Sequence, residues 1–223
     1  MKGKLNIVTT PIGNYADLTV RGVRLLNESE FIVCEEFKIA ARLLRYFGIR
    51  KDLLSLNEHN KEVSTQEVLS LLLEGKTVSL ISDCGTPGFA DPGHELIVKC
   101  IEYDVGIEFC GGANSVMAAL PLSGFDISRF YYAGFISPKT DQRRKRLTEL
   151  CRLQAAIVLL ETPYRLKQII HDIGEAFGGR QVFVGFDLTM ETEKIMRGTA
   201  SEILETLGEE KKRGEFVIIT DKP

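Results

Sequence analysis

Short apolar runs alternate along the chain with longer segments whose apolar residues recur every three or four positions. Residues 5–10 (LNIVTT) predict a first strand, which Pro11-Ile12-Gly13-Asn14 breaks. Across 17–27, Leu18, Val23, Leu25 and Leu26 suit one face of a helix. A second strand at 31–34 ends on Glu35-Glu36, and a helix over 38–47 closes on Gly48, a residue suited to the left-handed position after a helix. Residues 53–56 make a weaker strand. Ser64 and Glu67 have capping-box spacing and place a helix start there. Residues 78–82 are a fourth apolar run, 94–103 a helix and 107–110 a fifth strand. Asn114 or Ser115 then caps a helix that runs to Leu120.

The second half repeats the pattern. Pro121-Leu122-Ser123-Gly124 reads as a linker, and FYYAGF at 130–135 as a strand. Residues 137–152 are strongly basic, and 155–160 form an apolar strand that ends in Glu161-Thr162. Pro163 or Tyr164 opens a helix carrying Leu166, Ile169, Ile170, Ile173 and Phe177, stopped by Gly178-Gly179. A strand at 182–186, a second capping box at Thr199 and Glu202, and a strand at 216–220 complete the chain. Strands alternating with helices predict the α/β class, with mostly parallel or mixed sheets covered on both faces. The break near 121 divides the chain into domains 1–122 and 123–223, with a cleft expected between them. Parallel order would bring the loops at 11–14, 83–91 and 111–115 to one sheet edge, where α/β proteins bind ligands.

Composition narrows the class. The 223 residues are 44% hydrophobic and 26% charged with a net charge of −3, ordinary for a globular protein and unlike a nucleic-acid binder that works by bulk charge. No apolar run approaches the ~20 residues of a membrane helix. The start, MKGKLNIVTTPIG, lacks a signal-peptide pattern, so the cytosol is expected. Cys34, Cys84, Cys100, Cys110 and Cys151 form no CxxC pair, and the three histidines are scattered; neither set predicts a metal site. There is no GxGxxG fingerprint, Walker A loop or GxSxG elbow.

Three features carry candidate chemistry. The loop from Asp83 to Gly93 holds Gly85, Thr86, Pro87, Gly88, Asp91 and Pro92, too many breakers for a helix or strand interior. It reads either as a plain strand-to-helix connection or as a rigid small-molecule site. Glu35 and Glu36 at a strand end are either acids placed on a helix dipole or reactive carboxylates. Arg143, Arg144, Lys145 and Arg146 are either a solvated helix face or contacts to nucleic-acid phosphates.

These residues also carry a resemblance. TPIGN (10–14), SDCGTPGFADPG (82–93), AGFISP (133–138) with the basic run after it, LETPYRL (160–166), Leu188-Thr189, RGT (197–199) and GEF (214–216) occur in order over nearly the whole chain. Together they resemble the tetrapyrrole methylase superfamily, and within it the branch that methylates a cytidine 2′-hydroxyl of 16S ribosomal RNA. The resemblance implies class III S-adenosylmethionine-dependent methyltransferase architecture, a homodimer, and cofactor contacts at Pro11, Gly13, Asp83, Gly85, Thr86, Gly112, Ala113, Asn114, Ser115, Glu161, Thr162 and Leu188. It also implies that the partner is 16S rRNA or the small ribosomal subunit, with Arg143 to Arg146 and Arg165 as phosphate contacts; the composition already leads to the expectation of neither membrane nor metal. Glu35, Glu36 and Asp83 are the candidate catalytic acids. The chain departs from the superfamily pattern at 35–38, 111–115 and 186–190. Methylation of a tetrapyrrole or other small molecule, and a non-catalytic ligand-binding role, are the alternatives.

Overall fold

The computed structural model describes residues 2–89, 91–208 and 214–223. The chain forms two compact units, Met1–Asn114 and Ser115–Pro223. The first contains β1 (Lys4–Val8), α1 (Val20–Glu28), β2 (Phe31–Cys34), α2 (Phe37–Tyr46), β3 (Asp52–Ser55), α3 (Lys61–Leu73), β4 (Thr77–Leu80), α4 (His94–Glu102) and β5 (Gly106–Cys110). Its five strands are all parallel, in the order β3-β2-β4-β1-β5. Alternating side chains serve two cores. Leu5, Ile7, Val33, Val78 and Leu80 meet Val68, Leu72 and Leu96 of α3 and α4 on one face. Val8, Ile32 and Cys34 meet Leu25, Leu26, Leu43 and Leu44 of α1 and α2 on the other. Burial on both faces is why these strands read as continuous apolar runs.

The helices that follow the neighbouring strands β1 and β4 therefore cover opposite faces. That is a topological switch point, which opens a crevice at the carboxyl ends of this strand pair.

Two helix starts differ from the sequence expectation. Thr19 Oγ1 accepts from Gly22 N at 3.0 Å and caps α1, while Tyr15–Asp17 is a separate 3-10 turn capped by Asn14. α3 starts at Lys61, so Ser64 lies inside the helix and caps nothing. The preceding turn is closed instead by asparagines: Asn57 N donates to Asn60 Oδ1 at 2.7 Å and His59 N to Asn57 Oδ1 at 3.0 Å.

The second unit contains α5 (Ser115–Ser123), β6 (Phe130–Phe135), α6 (Thr140–Leu150), β7 (Ala156–Leu160), α7 (Leu166–Phe177), β8 (Val182–Phe186), β9 (Lys194–Gly198), α8 (Ala200–Leu207) and β10 (Phe216–Thr220). Its sheet runs β6-β7-β10-β8-β9; β6 and β7 are parallel and the other neighbours antiparallel. α5 packs on β10 and β8, so the stretch expected to be a linker is helical through Ser123, with Pro121 inside it. Arg197 of β9 donates from Nε to Ser123 O at 3.3 Å and from Nη2 to Leu122 O, fastening the end of that helix. The second capping box is present: Thr199 Oγ1 accepts from Glu202 N at 3.3 Å, and Glu202 Oε2 from Thr199 N at 2.7 Å. Among the described residues no helix is long and apolar enough to cross a membrane.

Candidate active site of the first unit

The switch point brings three turns together. Thr10, just past β1, donates its backbone N–H to Gly85 O at 2.8 Å and its hydroxyl to Ser82 O at 3.0 Å. Ser82 Oγ donates to the same Gly85 carbonyl at 3.0 Å. Thr9 Oγ1 lies 3.5 Å from Thr86 Oγ1, and Thr9 N donates to Cys110 O at 3.1 Å. Further along, Asp91 Oδ1 ties the loop to the start of α4 by accepting from Gly88 N at 2.7 Å and Gly93 N at 2.9 Å. Its Oδ2 is buried with no hydrogen-bond partner among the described residues.

Two glycines fit this geometry closely. Gly85 has φ +87°, which a side chain rarely adopts, and a Cβ there would sit 3.6 Å from Ile12 Cγ2 and 3.8 Å from Ala113 O. A Cβ on Gly112 would lie 3.1 Å from Thr9 Cβ and Cγ2, tight enough that Thr9 would have to shift by a few tenths of an ångström. The structure thus gathers Ile12, Gly85, Thr86, Gly112 and Ala113, and the turn holding Pro11 and Gly13, at one sheet edge.

The acids lie beside these turns. Glu36 N donates to Asp83 Oδ1 at 3.1 Å, linking the ends of β2 and β4. Burial raises the Glu35 carboxyl above its ordinary value, and the charges of Asp83, Asp91, Glu36 and Glu58 raise it further. Asp83 is also raised, chiefly by burial; the Glu36 N–H opposes the shift, and the Glu36 and Asp91 charges add to it. Glu35 and Asp83 are half-buried, while Glu36 is exposed. A carboxylate raised in this way is a stronger proton acceptor than a free one. The neighbouring Cys34 thiol is pushed up to about 12, by burial first and then by Asp83 and Glu36, so it stays protonated. Cys84 is exposed. Among the described residues no His, Cys, Asp and Glu group could hold a metal ion.

The other expected positions belong to the second unit. Ser115 opens α5 and Leu188 is buried. Glu161 is buried at the end of β7, where Oε1 accepts from Thr162 N at 2.7 Å and Oε2 pairs with Arg165. Arg165 also donates to Ile136 O at 2.9 Å and is partly exposed. Arg143, expected at a phosphate, is 1% exposed. Its Nε donates to Asp172 Oδ2 at 2.7 Å and its Nη1 to Pro138 O at 2.8 Å. Of the basic run, Arg144 and Lys145 are exposed, and Arg144 Nε also donates to Asp172 Oδ1, at 3.0 Å. Arg146 is partly exposed, with Nη2 donating to Tyr131 OH at 2.8 Å.

Sequence reasoning passed over Thr9 and Thr10, which stitch the turns, and Asp172. A paired threonine after an apolar run was the available signal for the first. For the second it was an acid among Ile169, Ile170 and Ile173 on an apolar helix face.

An α/β unit whose strand ends carry a glycine-built turn cluster under an acid patch is one of the forms a small-ligand enzyme takes. Residues 4–204 match the family model described as Tetrapyrrole (Corrin/Porphyrin) Methylases, and the chain belongs to that family of methyltransferases. It is 37% identical over 220 residues to a Halalkalibacterium halodurans protein named Ribosomal RNA small subunit methyltransferase I, covering 99% of this chain and 76% of that one. A Thermotoga maritima protein of the same name is 36% identical over 217 residues, covering 97% of both chains. Among solved structures, a cobalt precorrin-4 methyltransferase of cobalamin biosynthesis shares the fold, with TM-score 0.72 and 21% identity over 98% of this chain and 94% of that one.

Proposed function

We propose that this chain is an S-adenosylmethionine-dependent methyltransferase that modifies the 2′-hydroxyl of a cytidine in 16S ribosomal RNA. The observation that carries the reading is the near-full-length likeness to two proteins named Ribosomal RNA small subunit methyltransferase I. A cytosolic setting and the homodimer implied by the sequence resemblance belong to the same proposal.

The first unit's turns suit the cofactor. S-adenosylmethionine carries an ammonium, ribose hydroxyls and an adenine edge. The strand ends offer the orphaned Asp91 Oδ2, the Asp83 carboxylate, the Thr86 hydroxyl and glycine-exposed backbone. Pro11, Gly13, Asp83, Gly85, Thr86 and the turn from Gly112 to Asn114 are the residues assigned to hold it. When bound, it supplies an electrophilic methyl group on a sulfonium. A ribose hydroxyl is a weak nucleophile, so the chain has to take its proton as attack proceeds. Glu35 is assigned that role, because every influence on it raises its basicity. Asp83 orients the Glu36 backbone beside it through the 3.1 Å hydrogen bond. Arg144, Lys145 and Arg146 are assigned to RNA phosphates, and Arg143 and Arg165 to holding the second unit together.

Incubation with tritiated cofactor and small subunits from a strain lacking the gene tests the reading. Label should enter RNA as 2′-O-methylcytidine. Turnover of a porphyrinogen with unlabelled RNA would replace it with the small-molecule reading. Absence of S-adenosylhomocysteine binding in a calorimeter would leave only a non-catalytic role. Glu35→Gln should lower turnover about 10²–10⁴-fold with cofactor affinity retained.

A further inference from the structure

We infer that the corner formed by the end of α2 and the start of β3 is a second RNA-backbone contact surface of the first unit. A cavity of about 550 Å³ lies there, lined by Ala41, Leu44, Arg45, Gly48, Ile49, Arg50, Lys51 and Leu53. In a parallel sheet the start of β3 is at the edge opposite the strand carboxyl ends, so this cavity is separate from the candidate active site. The chain as a whole is acidic, yet residues 37–51 hold Lys38, Arg42, Arg45, Arg50 and Lys51 and no acid. Three of those five cations line the cavity.

None of the three pairs with a carboxylate among the described residues. The acids nearby are Asp52, which is exposed, and Glu30, which is held by Lys76 at 2.9 Å and feels Lys51 only at longer range. Tyr46 and Phe47 follow Arg45 in the chain, and Tyr46 meets Tyr15 edge to face at 5.1 Å and Phe47 at 5.0 Å. Tyr46 is nevertheless 61% exposed. Unpaired cations beside an exposed ring are what single-stranded RNA uses, with phosphates on the charges and a base against the ring. The apolar floor of Leu44, Ile49 and Leu53 fits sugar and base edges better than it fits a bare anion. The occupant is therefore single-stranded RNA away from the nucleotide held at the strand carboxyl ends.

The inference rests on the RNA reading, and its test separates the two. Binding of a single-stranded 16S fragment is measured against salt for wild type, for R45Q/R50Q/K51Q, and for a charge-matched control, K61Q/K167Q/K194Q. The corner variant should lose about tenfold or more in affinity, and the steepness of its log–log salt dependence should fall by about 0.7 for each phosphate left without its cation. Its melting temperature and S-adenosylhomocysteine affinity should match wild type, and Y46A should weaken binding without changing the salt slope. Equal losses in the corner variant and the control would overturn the inference and leave the RNA reading standing. Displacement of RNA by polyglutamate at matched charge would also overturn it, by making the corner a site for acidic protein. A wild type that binds no RNA would overturn the RNA reading first, and this inference with it.

Discussion

Replacing Asp172 with asparagine should cost the second unit much of its stability. Asp172 is buried on α7, where Oδ2 accepts from Arg143 Nε at 2.7 Å and Oδ1 from Arg144 Nε at 3.0 Å. The amide that replaces the carboxylate carries no charge, and the other partners of Arg143 are Pro138 O at 2.8 Å and Thr140 Oγ1 at 3.4 Å. Both are neutral, so the variant leaves a buried guanidinium uncompensated. Removing one partner of such a pair costs about 3–5 kcal/mol. For a chain of this length each kcal/mol moves the melting temperature by about 2–4 °C, so a fall of roughly 6–20 °C is expected by circular dichroism. Burial alone would raise the Asp172 carboxyl, but the hydrogen bonds from Arg143 and Arg144 outweigh it and hold the group below its ordinary 3.8. Its contribution is therefore complete above that value and lost as pH falls through the folded one. The difference between wild type and D172N should accordingly shrink in strong acid. R143M/D172L, which removes both charges together, should recover part of the loss. A D172N protein that melts within about 2 °C of wild type would refute the reasoning, and so would an R143Q variant that loses RNA affinity without losing stability.

Three further outcomes follow from the first unit and from α8. Gly85→Ala forces a side chain into φ +87° and should cost about 1–2 kcal/mol; calorimetry should also show weaker S-adenosylhomocysteine binding, and full affinity would count against the turn cluster as the cofactor site. Asp83→Asn removes a charge that raises Glu35, so NMR titration should show the Glu35 value moving down toward 4.5. A raised carboxyl works against folding once it is ionised, so stability that wild type gains as pH falls through the Asp83 and Glu35 values should be smaller in D83N. Thr199→Ala breaks the capping box on α8 and should cost about 1 kcal/mol, read from urea unfolding.

The central strands were legible because burial on both faces keeps them mostly apolar, with Asn6 and Ser79 the buried polar exceptions in β1 and β4; the run Phe31–Cys34 ends where the sequence pattern ends it. β9 was not, since it contributes only the apolar pair Ile195 and Met196 between charged neighbours. Helix starts set by side chains far from the helix pattern were also missed. Asn57 and Asn60 close the turn before α3, whereas Ser64 and Glu67 merely have the right spacing. The glycine loop declared itself through its density of breakers. The fate of Arg143 did not, because four consecutive cations look alike in sequence and only a folded α7 opposite sets one of them apart.

β1 is sandwiched between β4 and β5. During synthesis β1 therefore has no edge to join until residues 77–80 have been made, and no second neighbour until residue 110. A nascent chain that stops short of residue 77 carries β1 as an apolar ribbon with both edges open, the kind of intermediate that invites aggregation or chaperone capture. C-terminal truncations that stop short of residue 77 should for that reason be less soluble than those that extend past residue 110.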